Sequence, residues 1–188
     1  FQKKKDFNGI NVVVTAGPTY EPIDPVRFIG NFSSGRMGFA IADAFADEGA
    51  NVWLVTGPVA GMEVRKQVNV IPVQTAQQMY DAVMKHATGA DIIVMAAAVA
   101  DYRPSSPAKQ KIKKEKQKGS PLSIELQPTK DILKKLGEVK STKQFLVGFA
   151  LETNNELENA RAKLENKNMD LIVLNSLKDE GAGFGHET

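Results

Sequence analysis

Asp91-Ile92-Ile93-Val94-Met95-Ala96-Ala97-Ala98 is an apolar run behind a single acidic residue. A strand without polar alternation is typical of the middle of a parallel sheet that helices cover on both faces. We therefore expect this run to form a central strand. Similar runs recur along the chain, at residues 11–15, 51–56, 68–73, 145–150 and 170–175.

Amphipathic segments lie between most of these runs. They predict helices at residues 36–48, from Thr75 to about His86, 130–139 and 155–167. Strands that alternate with helices indicate an α/β protein with an open, mostly parallel sheet and helices on both faces. In such sheets, ligands bind at the carboxyl ends of the strands.

Two segments interrupt the alternation. Residues 21–30 contain two prolines and are predicted to form a long loop. Residues 122–126 alternate apolar and polar side chains, which predicts a half-exposed strand. With no internal repeat or clear linker, we expect residues 1–188 to form one domain. Because both ends of the chain look cut, we expect that domain to come from a longer polypeptide.

The octet Asn31-Phe32-Ser33-Ser34-Gly35-Arg36-Met37-Gly38 precedes the first predicted helix. Ser33 and Ser34 are good capping residues, and Gly35 would let the backbone approach a ligand closely. The free N–H groups of a helix N-terminus attract anions, so the octet could form a phosphate cradle into which Asn31 points. The same residues would equally suit an ordinary capped helix, and the octet alone does not separate the two.

A lysine-rich segment follows the predicted central strand. Six of the ten residues from Lys109 to Lys118 are lysine. Such a segment could be a solvated loop, a weak nucleic-acid patch or a flap that orders over a polyanionic ligand. It lacks aromatic platforms for bases, and it follows a strand's carboxyl end, so we favour a flap at residues 103–119.

The composition excludes several kinds of site. The chain has no cysteine and only two histidines, which argues against thiolate chemistry, a Ser-His-Asp triad and a histidine-rich metal site. Its net charge of +2 is too small to indicate nucleic acid binding. No apolar run reaches the roughly 20 residues of a membrane span, so a cytoplasmic protein with no membrane partner is the default.

The polar groups predicted near the carboxyl ends of the strands are amides, hydroxyls and lysines. Such groups catalyse by stabilising charge, which suits nucleotidyl or phosphoryl transfer better than ester hydrolysis or redox chemistry. The G-x-G-x-x-G and P-loop patterns are both absent. A short-chain reductase would need a Tyr-x-x-x-Lys pair, but Tyr80 is followed four residues later by Met84.

Six motifs in the chain carry a family resemblance. They are Thr15-Ala16-Gly17-Pro18-Thr19, Ile23-Asp24-Pro25-Val26-Arg27-Phe28-Ile29, Asn31-x-Ser33-Ser34-Gly35-x-Met37-Gly38, Ala96-Ala97-Ala98-Val99-Ala100-Asp101-Tyr102, Lys111-Ile112-Lys113-Lys114 and Val147-Gly148-Phe149-Ala150-Leu151-Glu152-Thr153. In this order they resemble phosphopantothenoylcysteine synthetase, the ligase domain of the bacterial bifunctional coenzyme A enzyme. The resemblance covers nearly the whole chain and implies a Rossmann-like sheet.

The resemblance implies a two-step reaction. The carboxylate of 4'-phosphopantothenate attacks the α-phosphate of CTP, which gives an acyl-cytidylate and pyrophosphate, and the amine of L-cysteine then displaces CMP. Mg²⁺ would accompany the triphosphate, held mainly by phosphates and water, so no protein ligand is assigned. The resemblance also implies a homodimer and, in the full-length protein, fusion to a flavin-dependent decarboxylase domain.

The resemblance assigns site residues as well. Asn31 and Lys111 would be catalytic, and Arg27, Asn31, Ser33, Ser34 and Gly35 would bind phosphopantothenate. The nucleotide would be bound by Met95, Ala96, Ala97, Asp101, Lys111, Lys130, Asp131, Ile132, Leu133, Phe149, Lys163 and Lys167. The chain departs from the family in two places, with Lys130 in place of a proline and without the closing segment beyond Phe184.

One alternative of another class stays open. The lysine-rich segment and the strand ends would also suit a non-catalytic module that binds a nucleotide or nucleic acid. Release of pyrophosphate from CTP separates the two hypotheses, because such a module would release none.

Overall fold

The computed structural model describes residues 5–64, 67–113, 121–152 and 155–176. The ten strands within these ranges are β1 (Asn11–Ala16), β2 (Tyr20–Pro22), β3 (Phe28–Gly30), β4 (Asn51–Thr56), β5 (Val68–Pro72), β6 (Ile92–Met95), β7 (Tyr102–Pro104), β8 (Leu126–Pro128), β9 (Phe145–Glu152) and β10 (Leu171–Ser176). The four helices are α1 (Arg36–Asp47), α2 (Ala76–Ala87), α3 (Ile132–Val139) and α4 (Glu156–Asn166).

Six of these strands form one parallel sheet in the order β10-β9-β6-β1-β4-β5. The chain runs outward from β1 through β4 to β5, then returns to the other side of β1 and runs outward again through β6, β9 and β10. The switch point of the topology therefore lies between β1 and β6. A crevice forms at such a point because the loops on either side lead away in opposite directions.

Helices cover both faces of the sheet, as the sequence predicts. Val12 and Val14 pack with α1 on one face, whereas Val13 packs with α2 and α3 on the other. This alternation within β1 follows from the two-residue repeat of a strand. All three valines are fully buried, which explains why the strand reads as a continuous apolar run.

Three strand predictions need correction. Residues 21–30 are not simply a loop, because β2 and β3 pair there as an antiparallel hairpin. The central strand is shorter than predicted, since Ala96–Ala98 already belong to the loop that follows β6. The half-exposed strand lies at Leu126–Pro128 rather than at residues 122–126, because the antiparallel partner β7 fixes its position.

Several sequence predictions fall outside the described residues. These are the part of the lysine-rich flap from Lys114 to Gly119, Thr153 at the end of the last motif, and the segment 177–188 with Phe184 and His186. In the part of the chain that the structure describes, no helix is both long and apolar enough to cross a bilayer.

Gly57, directly after β4, tests how closely the backbone packs at the carboxyl ends of the parallel strands. A Cβ at this position would lie 1.6 Å from the carbonyl oxygen of Pro18. We expect Gly57→Ala to lower the free energy of unfolding in urea by about 2–3 kcal/mol or more, because the backbone has to move. Gly89→Ala is the matched control, since a Cβ there meets nothing within 4 Å and should change stability by less than about 1 kcal/mol. Equal effects of the two substitutions would contradict the packing described here.

Candidate active site at the switch point

The loops that follow β1 and β6 are joined by hydrogen bonds. Three backbone N–H groups after β6 donate to acceptors in or after β1: Ala97 to Thr15 Oγ1 at 3.1 Å, Ala98 to the Gly17 oxygen at 2.9 Å, and Ala100 to Thr19 Oγ1 at 2.9 Å. Both threonines are fully buried. The backbone at residues 96–100, part of the predicted nucleotide site, is therefore held in place by β1.

Asn31 reaches the same edge of the sheet. Its side chain is exposed, and its Nδ2 donates to the carbonyl oxygen of Val99 at 3.0 Å. This contact joins the segment that leads into α1 to the loop after β6. The structure thus brings the predicted catalytic amide next to the predicted nucleotide-binding backbone.

The N-terminus of α1 differs from the sequence prediction. The N-cap residue is Gly35, with φ of 76° and no side-chain cap, rather than a serine. The two serine hydroxyls accept instead from the N–H groups of the N-cap residue and the first helical residue. Ser33 Oγ accepts from the Gly35 N–H at 3.3 Å, and Ser34 Oγ accepts from the Arg36 N–H at 3.5 Å. Ser34 is exposed and Ser33 is half-buried, so these hydroxyls lie where the helix N-terminus meets the surface.

Gly35 is required by the protein's own packing. A Cβ there would lie 2.8 Å from Val59 Cγ1 and 3.3 Å from the Gly17 nitrogen. The left-handed backbone conformation also disfavours a side chain. The sequence pattern suggested that this glycine allows a ligand to approach, but the contacts with Val59 and Gly17 are sufficient to require it.

The turn before α3 is tied to the loop after β6. Thr129 Oγ1 donates to the Ala100 oxygen at 2.6 Å, and the Thr129 N–H donates to the Asp101 oxygen at 2.9 Å. The exposed Asp101 is therefore placed beside the turn that contains Lys130. Sequence reasoning missed Thr15, Thr19 and Thr129, whose common signal is a hydroxyl residue at or just beyond the end of a strand.

Residues 130–133 have separate contacts. Asp131 caps α3 by accepting from the Lys134 N–H at 2.9 Å, and the Lys130 ammonium lies 4.5 Å from the centre of the Tyr80 ring. Ile132 is buried and Leu133 partly buried in the core between the sheet and α2. The charged side chains of this turn therefore belong to Lys130 and Asp131, whereas Ile132 and Leu133 contribute to the core.

Lys167 joins α4 to the same turn. Its Nζ lies 3.0 Å from Asp131 Oδ2, and its N–H donates to the Lys163 oxygen at 3.1 Å. Lys163 is exposed in the last turn of α4. Of the two predicted triphosphate lysines, Lys167 therefore contacts the turn before α3 through Asp131. Their assignment to the nucleotide stays a prediction.

Burial raises the pKa of Asp131, but the Lys134 N–H and the Lys167 ammonium outweigh it, and the pKa of this carboxyl is lowered overall. The carboxylate therefore stays charged near neutral pH and holds Lys167 at the site.

Met95 and Phe149 lie on neighbouring strands but face opposite ways. Met95 is buried on the face covered by α2 and α3, whereas Phe149 is half-buried on the face covered by α1. The structure does not bring these two side chains together. The prediction for Met95 concerned its backbone, and that backbone does end β6 at the switch point.

Arg27 and Lys111 meet through the backbone of the lysine-rich segment. Arg27 Nη2 donates to the Ile112 oxygen at 2.7 Å, and Lys111 is the exposed residue just before Ile112. The arginine was predicted to lie near the phosphate of phosphopantothenate. That assignment stays a prediction, and in the structure the guanidinium links the β2–β3 hairpin to the segment that carries the predicted catalytic lysine.

The family of the chain follows from its match to known proteins. The DNA/pantothenate metabolism flavoprotein C-terminal domain family matches residues 7–188. The chain belongs to this family. The crystal structure of the C-terminal domain of coenzyme A biosynthesis bifunctional protein CoaBC superposes with a TM-score of 0.79 and 46% identity, covering 91% of this chain and 79% of that chain. The family resemblance and the Rossmann-like fold are both confirmed.

Curated relatives in this family are longer proteins. The CoaBC protein of Haemophilus influenzae is 50% identical over 177 residues, which is 94% of this chain and 43% of the relative. A cysteine/cysteine sulfinic acid decarboxylase of an unknown prokaryote is 53% identical over 193 residues, which is 100% of this chain and 53% of the relative. The chain therefore spans about half the length of the curated relatives it matches, and their names describe the longer proteins.

The described ranges contain no cluster of three or more His, Cys, Asp or Glu side chains that could hold a metal ion. The metal ligands stay unassigned.

Asp131 gives a pH test of the arrangement around Lys167. Asparagine also caps helices well, so Asp131→Asn removes mainly the charge. Because the folded-state pKa is lowered from 3.8, the stabilisation by the carboxylate is present above the unfolded pKa and is lost as the pH falls through the folded pKa. We expect the variant to be less stable by about 0.5–1 kcal/mol at neutral pH, for a pair this exposed.

Urea unfolding at a series of pH values measures this difference. It should shrink as the pH falls below about 4, and at neutral pH it should shrink in 1 M salt. A difference that stays constant across the pH series would mean that the Asp131 charge does not act as described.

Proposed function

We propose that this chain is a phosphopantothenate–cysteine ligase that acts in coenzyme A biosynthesis. In the first step, the carboxylate oxygen of 4'-phosphopantothenate attacks the α-phosphorus of CTP, and the bond to the β-phosphate breaks to release pyrophosphate. In the second step, the amine of L-cysteine attacks the acyl carbon, loses a proton and expels CMP. This reaction would take place in the cytoplasm, where CTP is available.

The contact that carries the proposal is the hydrogen bond from Asn31 Nδ2 to the Val99 oxygen. It places a neutral donor between the N-terminus of α1 and the loop after β6. Such donors stabilise a negatively charged acyl-phosphate, whereas a carboxylate at the same position would repel it. Membership of the family and 46% identity to the CoaBC C-terminal domain support the same activity.

The two substrates would occupy different parts of the edge. We assign the phosphate of phosphopantothenate to Ser33, Ser34 and the first N–H groups of α1, which attract anions. We assign CTP to the loop after β6, with its triphosphate toward Lys163 and Lys167. The α-phosphate would then lie near Asn31, where the two sites meet.

Lys111 would supply positive charge to the transferring phosphate. It is exposed and lies in the lysine-rich segment after β7, and we place its ammonium toward the same edge. Mg²⁺ would neutralise the triphosphate when bound, and no residue of this chain is assigned to it. Pyrophosphate leaves more readily when its charge is balanced in this way.

A homodimer is part of the proposal. The β2–β3 hairpin and the segment after it carry exposed apolar side chains, including Val26 at 60%, Phe28 at 50% and Phe32 at 84% exposure. A second copy of the chain would cover such a surface. The chain's share of its relatives' length also supports fusion to a flavin-dependent decarboxylase domain in the full-length protein.

The competing hypothesis is a module that binds a nucleotide or nucleic acid without catalysis. The lysine-rich segment favours it, since six lysines lie within ten residues. Asn31 favours the ligase, because an amide held at the meeting point of two anion sites has no evident use in a binding module.

Pyrophosphate release in the presence of CTP, Mg²⁺ and 4'-phosphopantothenate tests the ligase directly. We expect Lys111→Gln to lower the rate about 10²-fold or more while the protein stays folded, because a charge that acts in the transition state is lost. Lys113→Gln is the matched control, since it removes an exposed lysine two residues away and should stay within about threefold of wild type. Equal losses in both variants would point to general attraction of anions rather than a role for Lys111.

Asn31→Asp tests the meeting point of the two sites. The carboxylate would repel the phosphates and could not donate to the Val99 oxygen, so we expect slower formation of the acyl-cytidylate, by about 10²-fold. Single-turnover measurements with radiolabelled CTP follow this step before cysteine is added. Unchanged kinetics of this step would remove Asn31 from the mechanism.

A further inference from the structure

Asp24 is a buried carboxylate that the proposed reaction does not use. It lies in the turn of the β2–β3 hairpin and is only 3% exposed. Its Oδ1 accepts from the N–H groups of Val26 at 2.8 Å and Arg27 at 2.9 Å. These two bonds close the turn, as an aspartate at this position commonly does.

The other oxygen of Asp24 bonds outside the hairpin. Oδ2 accepts from the N–H of Ile112 at 3.1 Å, and Arg27 Nε lies 3.6 Å from the same oxygen. The Arg27 guanidinium completes the contact, since its Nη2 donates to the Ile112 carbonyl oxygen at 2.7 Å. Both backbone polar groups of Ile112 are therefore held by an ion pair of the hairpin.

Further contacts support this attachment. The Ala108 N–H donates to the Ile23 oxygen at 2.8 Å. Below it, Ile23 and Ile112 line a cavity of about 240 Å³ together with Leu122 and Ile124. The base of the lysine-rich segment is thus bonded and packed to the hairpin on both sides of Lys111.

A segment this rich in lysine should not hold its position unaided. Burying a carboxylate is also costly unless hydrogen bonds compensate for the lost water. Burial raises the pKa of Asp24, but the N–H donors of Val26, Ile112 and Arg27 and the Arg27 charge outweigh it and lower the pKa overall. Asp24 therefore stays ionised and bonded to Ile112 at neutral pH.

We propose that Asp24 is a positioning residue for Lys111: with Arg27 it clamps the backbone of Ile112 to the β2–β3 hairpin and so fixes the position of the neighbouring lysine. The part of this inference that concerns catalysis rests on the proposed function. The clamp itself does not, because it consists of contacts within the chain.

Amide hydrogen exchange at Ile112, followed by NMR, tests the clamp without substrates. In Asp24→Asn, one oxygen still accepts from the turn, but the new NH₂ group faces the Ile112 N–H and cannot accept from it. We expect exchange at Ile112 to become about tenfold faster or more. Unchanged exchange would overturn the clamp.

Glu21→Gln is the matched control for exchange. Glu21 is a second buried acid of the same hairpin, and its Oε1 accepts from the Ala76 N–H at 2.7 Å. Its hydrogen bond holds the start of α2 and not the lysine-rich segment, so Glu21→Gln should leave Ile112 exchange unchanged. If Asp24→Asn does not fold, Arg27→Lys replaces it, because lysine keeps the charge but cannot reach both Asp24 Oδ2 and the Ile112 oxygen.

A double-mutant cycle on pyrophosphate release tests the route through Lys111. We expect Asp24→Asn to lower the rate constant about tenfold or more, with KM for CTP and 4'-phosphopantothenate within twofold of wild type. In a Lys111→Gln background, the same substitution should cause no further loss. A further tenfold loss in that background would show that Asp24 acts independently of Lys111 and would overturn the positioning role.

The exchange measurement and the pyrophosphate measurement distinguish the clamp from the proposed ligase function. If the wild-type chain releases no pyrophosphate while Asp24→Asn accelerates Ile112 exchange, the proposed function fails and the clamp stands. If pyrophosphate is released but exchange does not change, the ligase stands and the clamp fails.

Discussion

The structure depends on the hydrogen bonds between the loops that follow β1 and β6. At the switch point of a parallel sheet, these loops would otherwise separate and leave an open, poorly defined crevice. Here the buried hydroxyls of Thr15 and Thr19 accept from backbone N–H groups of the β6 loop. Their burial makes the bonds strong and the loss of either partner costly, because an unpaired polar group in the core is unfavourable.

Because these bonds hold the edge of the sheet in place, the β2–β3 hairpin can carry residues of the proposed site. The β2–β3 hairpin separates β1 from α1, where a compact dinucleotide-binding fold would have a short glycine-rich turn. Two buried acids hold it in place, since Glu21 bonds to the start of α2 and Asp24 bonds to the lysine-rich segment. The hairpin places Asn31 beside the loop after β6. The N-terminus of α1 lies at the same edge of the sheet.

Local patterns in the sequence were enough to predict the sheet and its helices. The continuous apolar runs gave the buried strands, and Thr75 was correctly placed as a cap, where it forms a capping box with Gln78. The hairpin and the position of β8 could not be found in this way, because short strands exist only through their partners. Leu126 pairs with Pro104, a residue 22 positions away that no local pattern points to.

The sequence predicted candidate residues for the site but not their contacts. Resemblance to the family gave Asn31, Lys111 and Lys167 as candidates, and the structure places Asn31 beside the loop after β6 and Lys167 beside Asp131. It could not give the pairing of Lys167 with Asp131, the contact of Arg27 with the flap or the role of Asp24. These depend on distances between residues that are far apart in sequence, and charge alone does not identify the partner. Gly35 shows the opposite case: its place in the octet before α1 suggests a ligand, although the contact with Val59 already requires a glycine there.

In the proposed reaction, two anionic substrates meet at the edge beside β1 and β6. A crystal structure of the chain with CTP and 4'-phosphopantothenate would show whether they do. We expect the α-phosphate within hydrogen-bond distance of Asn31, the triphosphate toward Lys167 and the other phosphate at the N-terminus of α1. Nucleotide bound away from the loop after β6, or phosphopantothenate bound away from Ser33 and Ser34, would contradict this arrangement.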